Sequence, residues 1–316
     1  MLQPVIAIVV PCYNESAVLS MSMAKLSEVL GAMVEAGTVS SQSYILCVND
    51  GSTDSTWAEI EKFHRRDTRI KGISLAHNRG HQYALLAGLM TVKDRCDAAV
   101  SIDADLQDDP DIIPEMVKLF IAGNEIVYGV RKSRATDSWF KRTTARTFYT
   151  MQRRLGVDTV YDHADYRLMS RRALELLADY GESNLFLRGI IPQIGLDSAV
   201  VTYDRQKRAA GESKYPLAKM ISFSIDGVTS FSAKPIRLIF ATGLILLLLD
   251  IVVAIYVLCS YFADSAISGW TSLMLSIWFL GSLILMSIGV VGEYIGKIFT
   301  EVKHRPRYAI RDMLWD

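Results

Sequence analysis

The sequence predicts an α/β fold: a mostly parallel open sheet with helices on both faces, then interfacial amphipathic helices and two transmembrane helices. Three observations predict it. Short β-branched runs alternate with helical patterns through the first 130 residues, the mark of successive βαβ units. Three of those runs stop at polar, turn-forming clusters, the place where open parallel sheets put their ligands. Two long apolar stretches follow near the C-terminus, each long enough to cross a bilayer.

Val5-Ile-Ala-Ile-Val-Val10 is the first strand, apolar throughout as befits burial on both faces, and it runs into Pro11-Cys-Tyr-Asn-Glu15. Ser16 to Met33 reads as a helix, with Leu19, Met23, Leu26 and Leu30 at three- and four-residue steps. Tyr44 to Val48 is the second strand, stopping at Asn49-Asp50-Gly51-Ser52. Asp54 to Arg65 is the second helix, capped by Ser or Thr, and Ile70 to Leu75 the third strand. Tyr83 to Val92 is a helix. Ala98 to Ile102 is the fourth strand, delivering Asp103-Ala-Asp-Leu-Gln-Asp-Asp109. Ile112 to Ala122 is a helix and Glu125 to Gly129 the fifth strand.

Beyond residue 130 the composition shifts. Arg131 to Arg154 is basic with interleaved aromatics, and Arg205 to Arg208 with Gly211 to Tyr215 makes a second basic patch. Leu217 to Ser232 has apolar residues at helical spacing, suited to a helix lying in the membrane interface. Leu238 to Phe262 is 25 residues interrupted only by Asp250, and Trp270 to Val291 is 22 residues without a charge. The link between them has no Lys or Arg, whereas both outer flanks are basic. The positive-inside rule places those flanks in the cytoplasm. The expected organisation is therefore a cytosolic domain at 1–215, amphipathic helices at 216–235, a two-helix membrane hairpin at 236–292 and a cytosolic basic tail at 293–316. Asp250, costly in mid-membrane, should face another helix, as packing glue or for lipid handling, and a homo-oligomer is expected on that account.

Lys plus Arg equals Asp plus Glu at 34 each, so nothing in the net charge points to nucleic acid. The four cysteines, Cys12, Cys47, Cys96 and Cys259, form no CxxC and no zinc-spaced cluster. They read as buried thiols of a reducing compartment. The N-terminal apolar run is too short for a signal peptide.

The chemistry gathers at the strand ends. Asp103 and Asp105, two apart at the end of a strand, would point to one side and could share Mg²⁺ or Mn²⁺ with substrate phosphates. A solvated acidic turn is the alternative, and it is the preferred reading for Asp108, Asp109 and Asp111. Asp50 could accept from a base N–H or a ribose hydroxyl; Ser52 or Asp54 could instead cap the following helix. His77 and His81 bring donors near the same edge or are ordinary loop residues. Arg208 and Lys214 suit either a specific phosphate or anionic lipid headgroups.

Taken in order, Pro11-x-Tyr13-Asn14-Glu15, Asp50-Gly51-Ser52-x-Asp54, Asn78-x-Gly80 with Ala87-Gly88, and Asp103-Ala104-Asp105-Leu106-Gln107 resemble the family 2 glycosyltransferases of the Rossmann-like GT-A fold. Asp165-Tyr-Arg-Leu-Met169, Arg208-x-x-Gly211-x-Ser213-Lys214-Tyr215 and Gly292-Glu-Tyr-Ile-Gly296 are similar to the polyprenyl-phosphate glycosyltransferases. These include dolichol-phosphate mannose synthases and, more closely, bacterial undecaprenyl-phosphate glucosyltransferases. The likeness covers essentially the whole chain. A processive polysaccharide synthase would carry Gln-x-x-Arg-Trp, which is absent; a non-catalytic membrane adaptor or flippase subunit would not need the full carboxylate set.

The resemblance implies inverting transfer of a sugar, glucose first, from a UDP-sugar to polyprenyl phosphate at the cytoplasmic membrane face, with Mg²⁺ or Mn²⁺. N-acetylglucosamine, a 4-amino-arabinose-type sugar and mannose are the alternatives. It implies that Pro11, Tyr13, Glu15 and Asp50 hold uracil and ribose, with Ser52, Asn78, Ala104 and Gln107 in the same nucleotide-sugar set. Asp103 would contact the nucleotide-sugar and Asp105 the metal, the pair forming the metal site. Asp165 would be the catalytic base or its aligner, with Asp162 as fallback. Arg131, Arg208, Ser213 and Lys214 would grip the lipid phosphate. One departure is plain: His77-Asn78-Arg79-Gly80 stands where the family often has Arg-Asn-aromatic-Gly.

Overall fold

The computed structural model describes residues 3–131, 163–182, 185–204 and 269–315, with scattered backbone positions between 236 and 255. The chain forms two compact units. One comprises 1–149, 158–215 and 305–316; the other comprises 150–157 and 216–304.

The first unit is built on one eight-stranded sheet: β1 (Ile6–Cys12), β2 (Tyr44–Asn49), β3 (Ile70–Leu75), β4 (Ala98–Ser101), β5 (Ile126–Arg131), β6 (His163–Ser170), β7 (Ser198–Tyr203) and β8 (Ile310–Leu314). Their order across the sheet is β7-β5-β6-β4-β1-β2-β3-β8. The core run β4-β1-β2-β3 is parallel, as is β5 with β7, whereas β6 runs antiparallel to both β4 and β5. The chain reverses its progress across the sheet between β1 and β4, which is where such sheets open a ligand crevice.

The expected elements appear close to their expected bounds. α1 (Ser16–Glu35) buries Leu19, Met23, Leu26 and Leu30 on one stripe; it is apolar enough to span a membrane by length, yet here it packs in the core. α2 (Thr56–Arg66), α3 (His81–Val92) and α4 (Ile113–Ile121) follow β2, β3 and β4. α3 presses against the sheet through Gly88, where an added Cβ would lie 2.4 Å from Val9 Cγ1 and 2.7 Å from Val48 Cγ2. α5 (Arg171–Ala178) begins on Ser170, whose hydroxyl accepts from the Ala173 N–H at 3.0 Å, an N-cap. α6 (Leu187–Gln193) precedes β7.

Two differences from the sequence reading matter. The expected fourth strand stops at Ser101, so Asp103 and Asp105 lie on a turn, and strand alternation does not orient them. The segment 293–316, expected as a tail, is divided: α7 runs Trp270–Val302, and β8 then pairs antiparallel with β3 from Gly72–Leu314 to Leu75–Ile310. Hydrophobic side chains along α7, among them Ile284, Leu285, Met286 and Ile298, are exposed, and its stretch Phe279–Val302 is long and apolar enough to cross a membrane. The expected span 238–262 and Asp250 lie largely outside the described residues.

Candidate active site

Because β1, β2 and β3 are parallel, the loops that leave them gather at one edge. Asn14, at φ 55, takes the left-handed conformation that Asn tolerates. Its N–H donates to Ser52 Oγ at 3.0 Å, and its Oδ1 accepts from the Thr53 N–H at 2.8 Å. The Glu15 N–H donates to Thr56 Oγ1 at 3.0 Å and the Ser16 N–H to Asp54 Oδ2 at 3.2 Å. Asp54 also accepts from the Thr56 N–H and hydroxyl. Ser52 and Asp54 thus stitch the first two strand-end loops together. Burial raises the Asp54 pKa, but these hydrogen bonds overcome it and hold the carboxyl at about 2. Pro11 is buried at the end of β1, while Tyr13 stands exposed at the rim.

Asp50 follows β2 directly and is buried. Its Oδ1 accepts from the Arg79 N–H at 2.7 Å and its Oδ2 from the Gly80 N–H at 2.8 Å. Burial pushes its carboxyl above the usual range against those two bonds. Gly51, at φ +61, lets the 77–80 loop come this close: a Cβ there would lie 2.5 Å from the Asn78 nitrogen. Asn78 sits exposed on that loop.

The turn after β4 is held from beneath. Ser22 Oγ donates to the Ala104 carbonyl, Leu106 adopts a positive φ of 51, and the Gln107 N–H donates to Asp105 Oδ1 at 3.1 Å. Asp109 accepts from the Asp111 N–H and caps the short 3₁₀ turn Pro110–Ile112, as a solvated turn residue would. Asp108 does the opposite. It is buried, accepting from Tyr203 Oη at 2.5 Å and from Arg131 Nη2 at 3.0 Å. The sequence reading of Asp108 as a solvated residue is corrected by this pair, as two donors compensate a buried carboxylate. Arg131, which the resemblance assigns to the lipid phosphate, pairs with Asp108 at 3.0 Å.

The antiparallel register of Ser101 with Arg167 brings the start of β6 beside the end of β4, so Asp165 arrives next to the Asp103 turn. Asp165 is 6% exposed and saturated. Its Oδ1 accepts from Arg167 Nη2 at 2.5 Å and Arg188 Nε at 3.2 Å; its Oδ2 accepts from Arg188 Nη2 at 3.0 Å and Gln82 Nε2 at 3.2 Å. His81 Nε2 lies 3.4 Å from Asp165 Oδ2 and 3.7 Å from Asp103 Oδ1. Burial pushes the Asp165 carboxyl upward, but Arg188, His81 and Arg167 together hold it well below the usual range. Burial alone would lower the His81 pKa; the Asp165 contact and the Asp103 charge raise it. Sequence reading missed Gln82 and Arg188, which lie in helices and end no strand. Asp162, Arg208, Ser213 and Lys214 lie outside the described residues.

Partial desolvation, then the charges of Asp165, Asp108 and Asp105, push the Asp103 carboxyl upward, with His81 opposing; its side chain remains 43% exposed. A surplus of carboxylate on one turn is what a divalent cation relieves. Among the described residues no group of three His, Cys, Asp or Glu side chains could hold a metal ion. The donor set fits an ion of the Mg²⁺ type, which takes one or two carboxylates and completes its shell with substrate phosphates and water.

Comparison with known proteins gives the family. Residues 7–177 match the profile of glycosyl transferase family 2. The uncharacterized glycosyltransferase YkoT of Bacillus subtilis (strain 168) is 52% identical over 98% of this chain and 91% of its own length. The bactoprenol glucosyl transferase of Shigella phage SfV is 34% identical over 97% of this chain and 98% of its own. Among solved structures, a glucosyl-3-phosphoglycerate synthase from Mycobacterium tuberculosis, in complex with Mn²⁺, UDP and phosphoglyceric acid, is 21% identical. It covers 72% of this chain and 76% of that one with a TM-score of 0.47. On that profile and those relatives the chain belongs to glycosyltransferase family 2 and is a glycosyltransferase.

Proposed function

We propose that the chain transfers glucose, with inversion, from UDP-glucose to polyprenyl phosphate at the cytoplasmic face of a membrane. The observation that carries the reading is the 34% identity to a bactoprenol glucosyl transferase along 97% of the chain, α7 included. The exposed apolar surface of α7 supports a lipid acceptor. The sheet supports a membrane hairpin. It takes strands from before residue 204 and from after residue 305. If α7 spans the bilayer, the intervening chain must cross it an even number of times, which asks for a second span at 238–262. A homo-oligomer, with Asp250 facing a neighbouring helix, belongs to the same proposal.

In this reading Pro11, Tyr13, Glu15, Asp50, Ser52 and Asn78 receive the nucleoside, and the Asp103–Gln107 turn receives the diphosphate and sugar. Asp103 and Asp105 would hold Mg²⁺ or Mn²⁺, which when bound neutralises the diphosphate leaving group. An oxygen of the lipid phosphate forms the new bond to the anomeric carbon as the bond to UDP breaks. A phosphate monoester, with its second pKa near 6, arrives largely ionised at neutral pH, so no strong base is required. Asp165, ionised and fully bonded, serves as the aligner of Arg188 and His81. Arg208, Ser213 and Lys214 hold the acceptor phosphate by charge-assisted hydrogen bonds, while Arg131 fixes the turn through Asp108.

Purified protein given labelled UDP-glucose, polyprenyl phosphate and Mn²⁺ should move label into an organic-extractable product that EDTA abolishes. A panel of UDP- and GDP-sugars checks the sugar. Label that moves only from another donor would refute glucose, and label that stays in water for every donor would refute the lipid acceptor.

A further inference from the structure

The loop after β3 is held from two sides. Inward, Asp50 accepts from the backbone N–H groups of Arg79 and Gly80. Outward, the Arg79 guanidinium donates from Nε to the Arg307 carbonyl at 2.8 Å and from Nη2 to the Pro306 carbonyl at 3.0 Å. These carbonyls begin four residues after Val302, where α7 ends. The rail continues as the Ala76 N–H donates to the Ala309 carbonyl at 2.9 Å, and then as the β3–β8 ladder. Its far end is latched by Trp315. The Trp315 carbonyl accepts from the Lys71 ammonium, and its ring lies 4.1 Å from the Arg95 guanidinium, inside cation–π range.

We propose that Arg79 is a positioning residue for the nucleotide donor, and that the segment 306–315 is a working part of the donor pocket. This rests on reading the Asp50 rim as the nucleoside site. The arginine's planar fork spans two successive carbonyls, which a lysine ammonium cannot do in the same geometry. Through that fork the backbone of residues 79 and 80 is fixed at the distance Asp50 needs. Removing the side chain leaves Asp50 bonded to a loop with one anchor, so the pocket is formed for a smaller fraction of the time and apparent donor affinity falls by that fraction. The side chain itself does not have to touch the donor.

The test uses the full-length enzyme in detergent with Arg79→Ala and Arg79→Lys. In Arg79→Ala the KM for UDP-glucose should rise about tenfold, while kcat and the acceptor KM stay within about twofold. Arg79→Lys should fall between Arg79→Ala and wild type. Hydrogen exchange at the amides of residues 79 and 80 should quicken in Arg79→Ala, with the thermal midpoint unchanged. A donor KM that does not move, or a donor KM, acceptor KM and kcat that all change together, would overturn the proposal. If the wild-type chain transfers no sugar from any donor, the underlying reading fails. Exchange then still decides the clamp, and unchanged protection of residues 79 and 80 rejects it.

Discussion

Arg131 Nη2 lies 3.0 Å from Asp108 Oδ1, and the carboxylate it meets is 3% exposed. The pair joins the end of β5 to the turn that carries Asp103 and Asp105. Arg131→Met leaves Asp108 with the Tyr203 hydroxyl as its remaining donor among the described residues, so the fold should lose about 3 kcal/mol, the cost of an uncompensated buried charge. Asp108→Asn added to Arg131→Met should recover part of that loss. Thermal unfolding of the two variants in detergent measures both.

Asp165 also compensates a buried charge. Arg167 is 1% exposed, and its Nε and Nη1 make no hydrogen bond among the described residues, so Asp165 supplies its compensating charge. Asp165→Asn should therefore lower stability by about 3 kcal/mol as well as reduce kcat. Arg188→Gln, on a half-exposed side chain, should reduce transfer with a smaller stability change. Side-by-side unfolding and label-transfer measurements distinguish the two effects.

Asp165 is held ionised far below neutral pH. The wild-type rate should accordingly show no fall on the acid side from its protonation between about pH 5 and 8. A kcat profile at saturating donor and acceptor checks this.

Asp105→Asn should cut kcat by at least about 100-fold, the loss expected when charge stabilisation at a leaving group is removed. It should also raise the Mn²⁺ concentration needed for half-maximal transfer. A manganese titration of the variant at fixed UDP-glucose reads both.

Asp54 gives the fold an acid limit. Its folded pKa is about 2 against an ordinary 3.8, so on acidification the unfolded chain takes up its proton first. The stabilisation is complete above about pH 4 and disappears as pH falls through 2. Because the carboxylate is exposed, water competes for its bonds, and the effect is about 1 kcal/mol. Asp54→Asn should flatten this part of the stability curve, as urea unfolding between about pH 2 and 5 would show.

β1 to β5 and α1 to α4 were readable because most of the strands are short runs buried on both faces and the helices between them are apolar, as a stripe in α1 and as a continuous buried run in α3. Pro11, Asp50 and Asp103 were readable because they end such runs. β6 was not, since Arg167 and Asp165 are charged residues inside a strand, and their burial depends on each other rather than on local pattern. β8 was not, because Arg311 and Asp312 make an edge strand look like a solvated tail. Asp108 was misjudged for a related reason: its partners, Arg131 and Tyr203, lie 23 and 95 residues away, beyond any local spacing rule. Arg79 appeared only as a departure from the family pattern until the structure supplied its carbonyl acceptors.

The pairing of Gly72 with Leu314 also dictates an order of events during synthesis. A ribosome releases β3 long before it reaches β8, and α7 is made in between. The nascent domain must therefore wait with one border of its sheet uncovered while α7 is completed. A stalled or nicked polypeptide lacking residues 305–315 would keep that border open, and an open strand border recruits other chains.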